Sequence, residues 1–350
     1  MTMLRERRAL RVGPVSTIVR PAGVLVVAVL ALVLVVVICV NLGRGDYTLS
    51  LGQVLDILRG GGKRAQRVIV IDVRLPRVAV GALVGAALGI AGALTQSTLR
   101  NPLAGPDLLG ITAGASCGAI GVITLGGLSG IAYDIGVPLA ALVGGLGTAA
   151  AIYALSWRRG FDGFRLVLIG IGINAMLMAM IGWLLVYAKI DDVIRAQLWL
   201  NGTVNTAARS QIPPLAIGFV VAGGFALMSV STLAVLRLGD DKARSLGLQL
   251  QSQQAFLLLA AVVLASLATA VTGPIGFVAL AAPQIARRLQ RCPGEPIIAS
   301  ALVGAILVVG SDIIARTVLP MTLPVGIVTS AMGGIFLLYL LVVSNRKVTI

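Results

Sequence analysis

Covalent chemistry needs a nucleophile, a proton carrier or a set of metal ligands within reach of one another, and the apolar segments of this chain supply none of these. Its 350 residues include no histidine, which removes the commonest general base and metal ligand. Cys39, Cys117 and Cys292 are far apart, two of them inside apolar runs. They read as small buried hydrophobes rather than as a disulfide framework or a metal site. Gly62-Lys63 is the one fragment that looks like a phosphate loop, yet Arg64 stands where Ser or Thr is needed and Ile57 where the leading Gly belongs. No ATP site is expected in this chain. A carrier coupled to protons or Na⁺ places carboxylates at mid-depth, whereas Asp107, Asp134 and Asp312 fall at the ends of apolar runs.

The remaining constellations are basic. Arg74 and Arg77 flank Pro76, which suits a helix start, and both guanidiniums can face outward there. They would serve as forks for carboxylates or as anchors that snorkel to a membrane surface. Arg316 follows Asp312 by four residues, the spacing of an internal ion pair. In Leu238–Gly247, Gly239 and Gly247 bracket Asp240, Asp241, Lys242 and Arg244. By composition alone a solvated loop is a sufficient reading of that segment.

The elements that position these residues follow from the composition. The chain is 58% hydrophobic and 12% charged, with mean hydropathy +1.00, against about 25% charged in soluble domains. Lipid is therefore the solvent for most of it, and its 43 glycines read as small residues that let helices approach closely. Gly81, Gly85 and Gly89 form such a stripe. A net charge of +15 does not point to nucleic acid, because the basic residues fall in short clusters between apolar runs and aromatics make up only 4%.

About 20 apolar residues cross a bilayer, and charges are costly inside it. Charge-free stretches run over 21–43, 78–99, 108–133, 135–157, 166–188, 210–236, 245–286, 296–311 and 317–345. Gly273-Pro274 breaks 245–286 into two, which makes ten predicted spans. The first, with 23 uncharged residues, exceeds a signal-peptide core and is expected to be retained. Arg5, Arg7, Arg8, Arg11 and Arg20 before it, and Arg346 and Lys347 after the last, place both termini in the cytoplasm. Arg158, Arg159 and Arg165, then Arg237, Lys242 and Arg244, then Arg287, Arg288 and Arg291 fall inside as well. The exception is 42–77, outside yet carrying seven Lys and Arg. Within it Ser50 caps a short amphipathic helix on Leu51, Val54, Leu55 and Leu58. Segment 196–208 is too short to span and reads as an interfacial turn or half-helix on the outer face. The expected organisation is a basic cytoplasmic segment 1–20, one ten-span domain 21–345 with outer loop 42–76 and polar segment 237–253, and a cytoplasmic tail 346–350.

Longer strings resemble a known family. Arg74-Leu75-Pro76-Arg77 leads into a Gly/Ala-rich helix, followed by Gln96, Arg100-Asn101-Pro102-Leu103-Ala104 and Leu109-Gly110. Leu238–Gly247, Gly273-Pro274-Ile275-Gly276-Phe277, Pro283–Arg287 and Leu323–Thr329 continue in order. Together these resemble the FecCD-type permeases that import ferric siderophores, haem and vitamin B12. Phe161–Arg165 and Gly170–Met176 bring the chain nearest the ferric enterobactin type. Gln284 departs from the pattern, since many relatives carry His there, and argues against a His-dependent role at that position. The resemblance implies an all-α, ten-helix importer permease fold of the vitamin B12 permease type, working in the cytoplasmic membrane as a homodimer or heterodimer with a second permease subunit. It implies two ATP-binding-cassette ATPase subunits that carry the ATP and Mg²⁺, with no cofactor on this chain, and an extracytoplasmic binding protein that delivers a ferric siderophore. Haem or vitamin B12 is the alternative ligand in the family, and a stand-alone secondary transporter the alternative mechanism. By the same resemblance Arg74, Arg77 and Arg316 dock the binding protein, Gly239, Asp240, Asp241, Lys242, Arg244 and Gly247 form a short coupling helix that sits in a groove on the ATPase, and Asn174 and Thr329 line the path.

Overall fold

The computed structural model describes residues 8–12, 15–19, 21–45, 47–127, 130–157, 163–291, 296–318 and 322–345. The tail 346–350, together with Arg158, Arg159, Phe161, Asp162 and Cys292, lies outside them. Two five-residue strands, β1 (Arg8–Val12) and β2 (Val15–Val19), pair antiparallel ahead of the first helix. Every other regular element among the described residues is helical. In chain order these are α1 (Pro21–Gly43), α2 (Leu51–Leu58), α3 (Arg64–Arg67), a π-helical stretch Val68–Arg74, α4 (Leu75–Thr98), α5 (Ile111–Leu125), α6 (Ile131–Ser156), α7 (Gly163–Tyr187), α8 (Ile190–Leu200), a 3₁₀ turn Arg209–Gln211, α9 (Ile212–Met228), α10 (Val230–Leu236), α11 (Asp240–Ser245), α12 (Leu250–Thr272), α13 (Val278–Gln290), α14 (Ile297–Thr317) and α15 (Val325–Asn345).

Seven helical stretches among the described residues are long and apolar enough to cross a membrane: Pro21–Gly43, Arg64–Leu99, Ile131–Ser156, Gly163–Tyr187, Arg209–Met228, Leu250–Thr272 and Ile297–Thr317. Ile111–Leu125 and Val325–Leu340 are apolar but shorter. Several boundaries differ from those read off the charge pattern. Pro76 is the second residue of α4, as suits a helix start, but the chain before it is helical as well: α3, the π stretch and α4 form one run from Arg64, and a proline ring that clashes with the carbonyl four residues earlier is accommodated by the wider π turn. The stretch 210–236 divides at Ser229, whose hydroxyl donates to Phe225 O at 2.9 Å. The predicted break at Gly273-Pro274 is present, and α12 ends at Thr272. Segment 196–208 is partly helix, as the end of α8. Its remainder tucks inward, with Thr203 N donating to Thr272 O at 2.7 Å.

Helix α4 lies at the centre, packed by α14, α12, α13 and α9. The glycine stripe explains how. A Cβ at Gly85 would lie 2.3 Å from Gly304 O, and one at Gly89 would lie 2.1 Å from Ser300 O. Both are inside contact distance, so α4 and α14 meet backbone to backbone. Around this pair, Val80, Val84, Leu88, Leu94, Leu257 and Leu264 form the largest buried cluster. Helix α2 carries the expected cap. Ser50 Oγ accepts from Gln53 N at 3.3 Å, while Gln53 Oε1 accepts from Ser50 N at 2.9 Å. Its Val54 and Ile57 bury against Leu42, Val70 and Val78, which seats the segment between α1 and α4 on the bundle.

Candidate functional site

At the end of the bundle where α4 begins, three arginines gather around one carboxylate, and two of them grip it. Arg77 Nε and Nη2 donate to Asp312 Oδ1 at 3.0 and 2.6 Å, and Arg316 Nη2 lies 3.2 Å from Asp312 Oδ2. Asn41 joins α1 to the same point: its Nδ2 donates to Asp312 Oδ2 at 3.0 Å, and its Oδ1 accepts from Arg316 Nη2 at 2.6 Å. Arg77 Nη1 also donates to Asn205 Oδ1. Arg74 is buried and donates to the carbonyls of Leu42 and Tyr47 at 2.7 and 2.6 Å. The outward orientation expected for Arg74 and Arg77 is therefore corrected. Both guanidiniums turn inward, because the carbonyl of Leu42 at the end of α1, that of Tyr47 in the loop after it and the Asp312 carboxylate offer fixed acceptors that lipid does not. Asn41 and Asn205 are the members that sequence spacing does not nominate.

At the opposite end of α4, the segment 238–247 folds as expected into a short helix between two left-handed glycines. Gly239 has φ +101° and Gly247 has φ +80°, values that side-chain-bearing residues adopt only at a cost. Helix α11 thus leaves α10 and joins α12 through sharp turns. Ala243 is buried beneath it, while Asp241, Lys242 and Arg244 are exposed. Asp240 pairs with Arg100, two residues past the end of α4. That contact ties α11 to the central helix. Close by, Gln96 forms a polar junction: its Nε2 donates to Leu280 O at 3.1 Å and its Oε1 accepts from Arg287 Nη2 at 2.8 Å. Gln284 Nε2 donates to Pro102 O at 2.6 Å, so Gln284 holds α13 to the loop after α4.

Asn174 and Thr329 are not brought together. Asn174 sits on α7, with its Cβ 3.4 Å from where a Cβ at Gly110 would stand. Thr329 is buried near the start of α15, and its hydroxyl donates to Gly326 O at 3.0 Å. It borders a cavity of about 390 Å³ with Phe277, Ser311 and Met332. Among the described residues no group of three His, Cys, Asp or Glu side chains is placed to hold a metal ion.

A sequence model of the FecCD transport family matches residues 32–343. This chain belongs to the FecCD transport family. It is 40% identical over 308 residues to the ferric enterobactin transport system permease protein FepG of Escherichia coli (strain K12), covering 88% of this chain and 92% of that one. It is likewise 40% identical over 318 residues to the achromobactin transport system permease protein CbrC of Dickeya dadantii (strain 3937), covering 89% and 90%. The iron(3+)-hydroxamate import system permease protein FhuG of Bacillus subtilis (strain 168) is 35% identical over 331 residues, covering 92% and 97%. Among solved structures, one described as an inward-facing conformation of a metal-chelate type ABC transporter superposes with a TM-score of 0.80 at 25% identity, covering 91% of this chain and 99% of that one. The FecCD chain is thus a multi-pass membrane transport subunit, and its helical bundle is that of a transporter.

Proposed function

We propose that this FecCD-family chain is the permease subunit of an ATP-binding-cassette importer that carries a ferric siderophore across the cytoplasmic membrane by alternating access. The observation that carries the reading is the match of the family over residues 32–343, with siderophore permeases 40% identical along almost their whole length. Ten crossings are proposed, by α1, α4, α5, α6, α7, α9, α12, α13, α14 and α15, with both termini in the cytoplasm. A second permease subunit completes the pathway, with Asn174 and Thr329 facing it. Two partner ATPases bind ATP and Mg²⁺, and an extracytoplasmic binding protein delivers the ligand.

The geometry suits this division of labour. Arg74, Arg77, Arg316 and Asp312 carry three positive charges and one negative, and that excess at the outer mouth would steer acidic side chains of a binding protein. Since Arg77 already grips Asp312, docking there exchanges one carboxylate for another. On the inner side α11 presents Asp241 and Lys242 to the ATPase, while Arg244 borders the cavity between α6 and α12, and the Arg100–Asp240 pair passes its displacement to α4. An exposed ion pair adds little to stability, so its loss should be felt in coupling rather than in folding.

Reconstitution of the permease with its ATPases and binding protein tests the reading. Ligand-stimulated ATP hydrolysis and radio-iron uptake are expected with a ferric siderophore. Arg100→Gln should lower both several-fold without lowering the melting temperature, and the swap of Arg100→Asp with Asp240→Arg should recover part of the loss. Uptake of haem or cobalamin in place of the iron chelate would redirect the ligand assignment, and uptake without ATP would remove the importer reading.

A further inference from the structure

Tyr153 and Trp157 lie one helical turn apart at the end of α6, with ring centroids 5.3 Å apart. Across from them α12 starts at Leu250, beside Arg244 of α11. Between the two helices is a cavity of about 1250 Å³. Its mouth carries Arg244, Gln249 and Ser252 beside Trp157, and its depth is apolar, walled by Leu146, Phe256, Leu259 and Val262. Phe256 and Leu259 are 54% and 53% exposed on a helix that crosses the membrane. No residue of α4, α13, α14 or α15 lines it, so it opens at the periphery of the bundle, away from the cavity beside Thr329.

Its length fits one kind of occupant. Leu250 to Val262 spans about 18 Å of helix, and Leu146 to Trp157 about 16 Å, while one leaflet of hydrocarbon is about 15 Å deep. A cation and amides stand at one end only, with a Tyr/Trp pair at the level where such rings settle in a membrane interface. The remainder matches acyl chain. We propose that this cavity binds an anionic phospholipid, with its phosphate on Arg244 and an acyl chain laid along α12 between Phe256 and Val262. The apolar walls gain little over bulk bilayer, so selectivity comes from the charge at the mouth. One basic residue at a membrane surface corresponds to a preference of about fivefold for an anionic over a zwitterionic headgroup. The inference rests on the membrane-spanning fold and not on the identity of the transported ligand.

Trp157 is a natural reporter. In the full chain carrying Trp183→Phe and Trp199→Phe, reconstituted in phosphatidylcholine vesicles, brominated-chain phosphatidylglycerol should quench Trp157 with about fivefold higher apparent affinity than brominated-chain phosphatidylcholine. Arg244→Gln should abolish that preference, and Arg244→Lys should keep most of it. Native mass spectrometry of the unaltered chain, titrated with phosphatidylglycerol or phosphatidylcholine, should show the same preference without any tryptophan change. Equal quenching by the two lipids, a preference that survives Arg244→Gln, or a Trp157 shielded from both lipids as a covering protein would leave it, would each overturn the proposal.

Discussion

Asp312 is 2% exposed and receives hydrogen bonds from Arg77 and Asn41, with Arg316 paired to its other side. Its removal leaves two largely buried guanidiniums facing each other, which is worse than losing either arginine alone. Breaking a buried pair costs about 3–5 kcal/mol, whereas losing one charged hydrogen-bond donor costs about 1.5–3 kcal/mol. Asp312→Asn should therefore lower the melting temperature of the detergent-purified protein more than Arg77→Gln does. The reverse order would show that Asp312 is not the hub of the cluster. All three arginines stood out in the sequence, and so did the Asp312 spacing to Arg316. Their inward direction did not, because Asn41 lies 271 residues from Asp312 and nothing local records that the ends of α1, α4 and α14 meet.

Elements were more legible than contacts, since apolar length and Gly or Pro breaks are local signals. The capped α2, the break before α13 and the isolated α11 are all present. Missed were the π stretch before Pro76 and the division at Ser229, which depend on hydrogen bonds that no periodicity reports. The glycine stripe offers a graded test at this scale. Alanine favours a helix over glycine by about 1 kcal/mol, but at Gly89 its methyl meets Ser300 O, and overpacking costs about 1–3 kcal/mol. Gly224, in α9, has open space within 4 Å of the point where an alanine methyl would stand. Gly89→Ala should destabilise and Gly224→Ala should be neutral or stabilising, read as shifts in thermal unfolding. Equal shifts would mean that α4 and α14 have room to part. At α11, Gly247→Val forces a β-branched residue to φ near +80°. Transport-coupled ATP hydrolysis should fall while binding-protein affinity is retained, and normal coupling would remove the Gly247 turn from the mechanism.

At the scale of the whole molecule the two polar ends are fixed relative to one another. Arg77 and Thr98, the last residue of α4, are 21 residues apart, about 32 Å at helical rise, and Arg100 follows just beyond, so the Asp312 cluster and the Asp240 pair lie at opposite membrane faces. Which face is outside follows from counting crossings, and α13 is the helix on which the count depends. Its 13 residues reach only about 20 Å, and Gln284 and Arg287 on it bond to Pro102 and Gln96. The five residues 273–277 turn through positive φ at Gly273 and Phe277 rather than running extended, and α13 is the shortest of the ten proposed crossings against a hydrocarbon core of about 30 Å. With Cys39, Cys117 and Cys292 replaced by Ala, single cysteines at positions 62, 242 and 348 report the outcome through a membrane-impermeant thiol reagent on intact cells. Position 62 should react, and positions 242 and 348 should react only after permeabilisation. Reaction of 242 from outside would invert the whole bundle. Shielding of 242 together with reaction of 348 would mean an odd number of crossings between α11 and the tail, and would take α13 out of the membrane count.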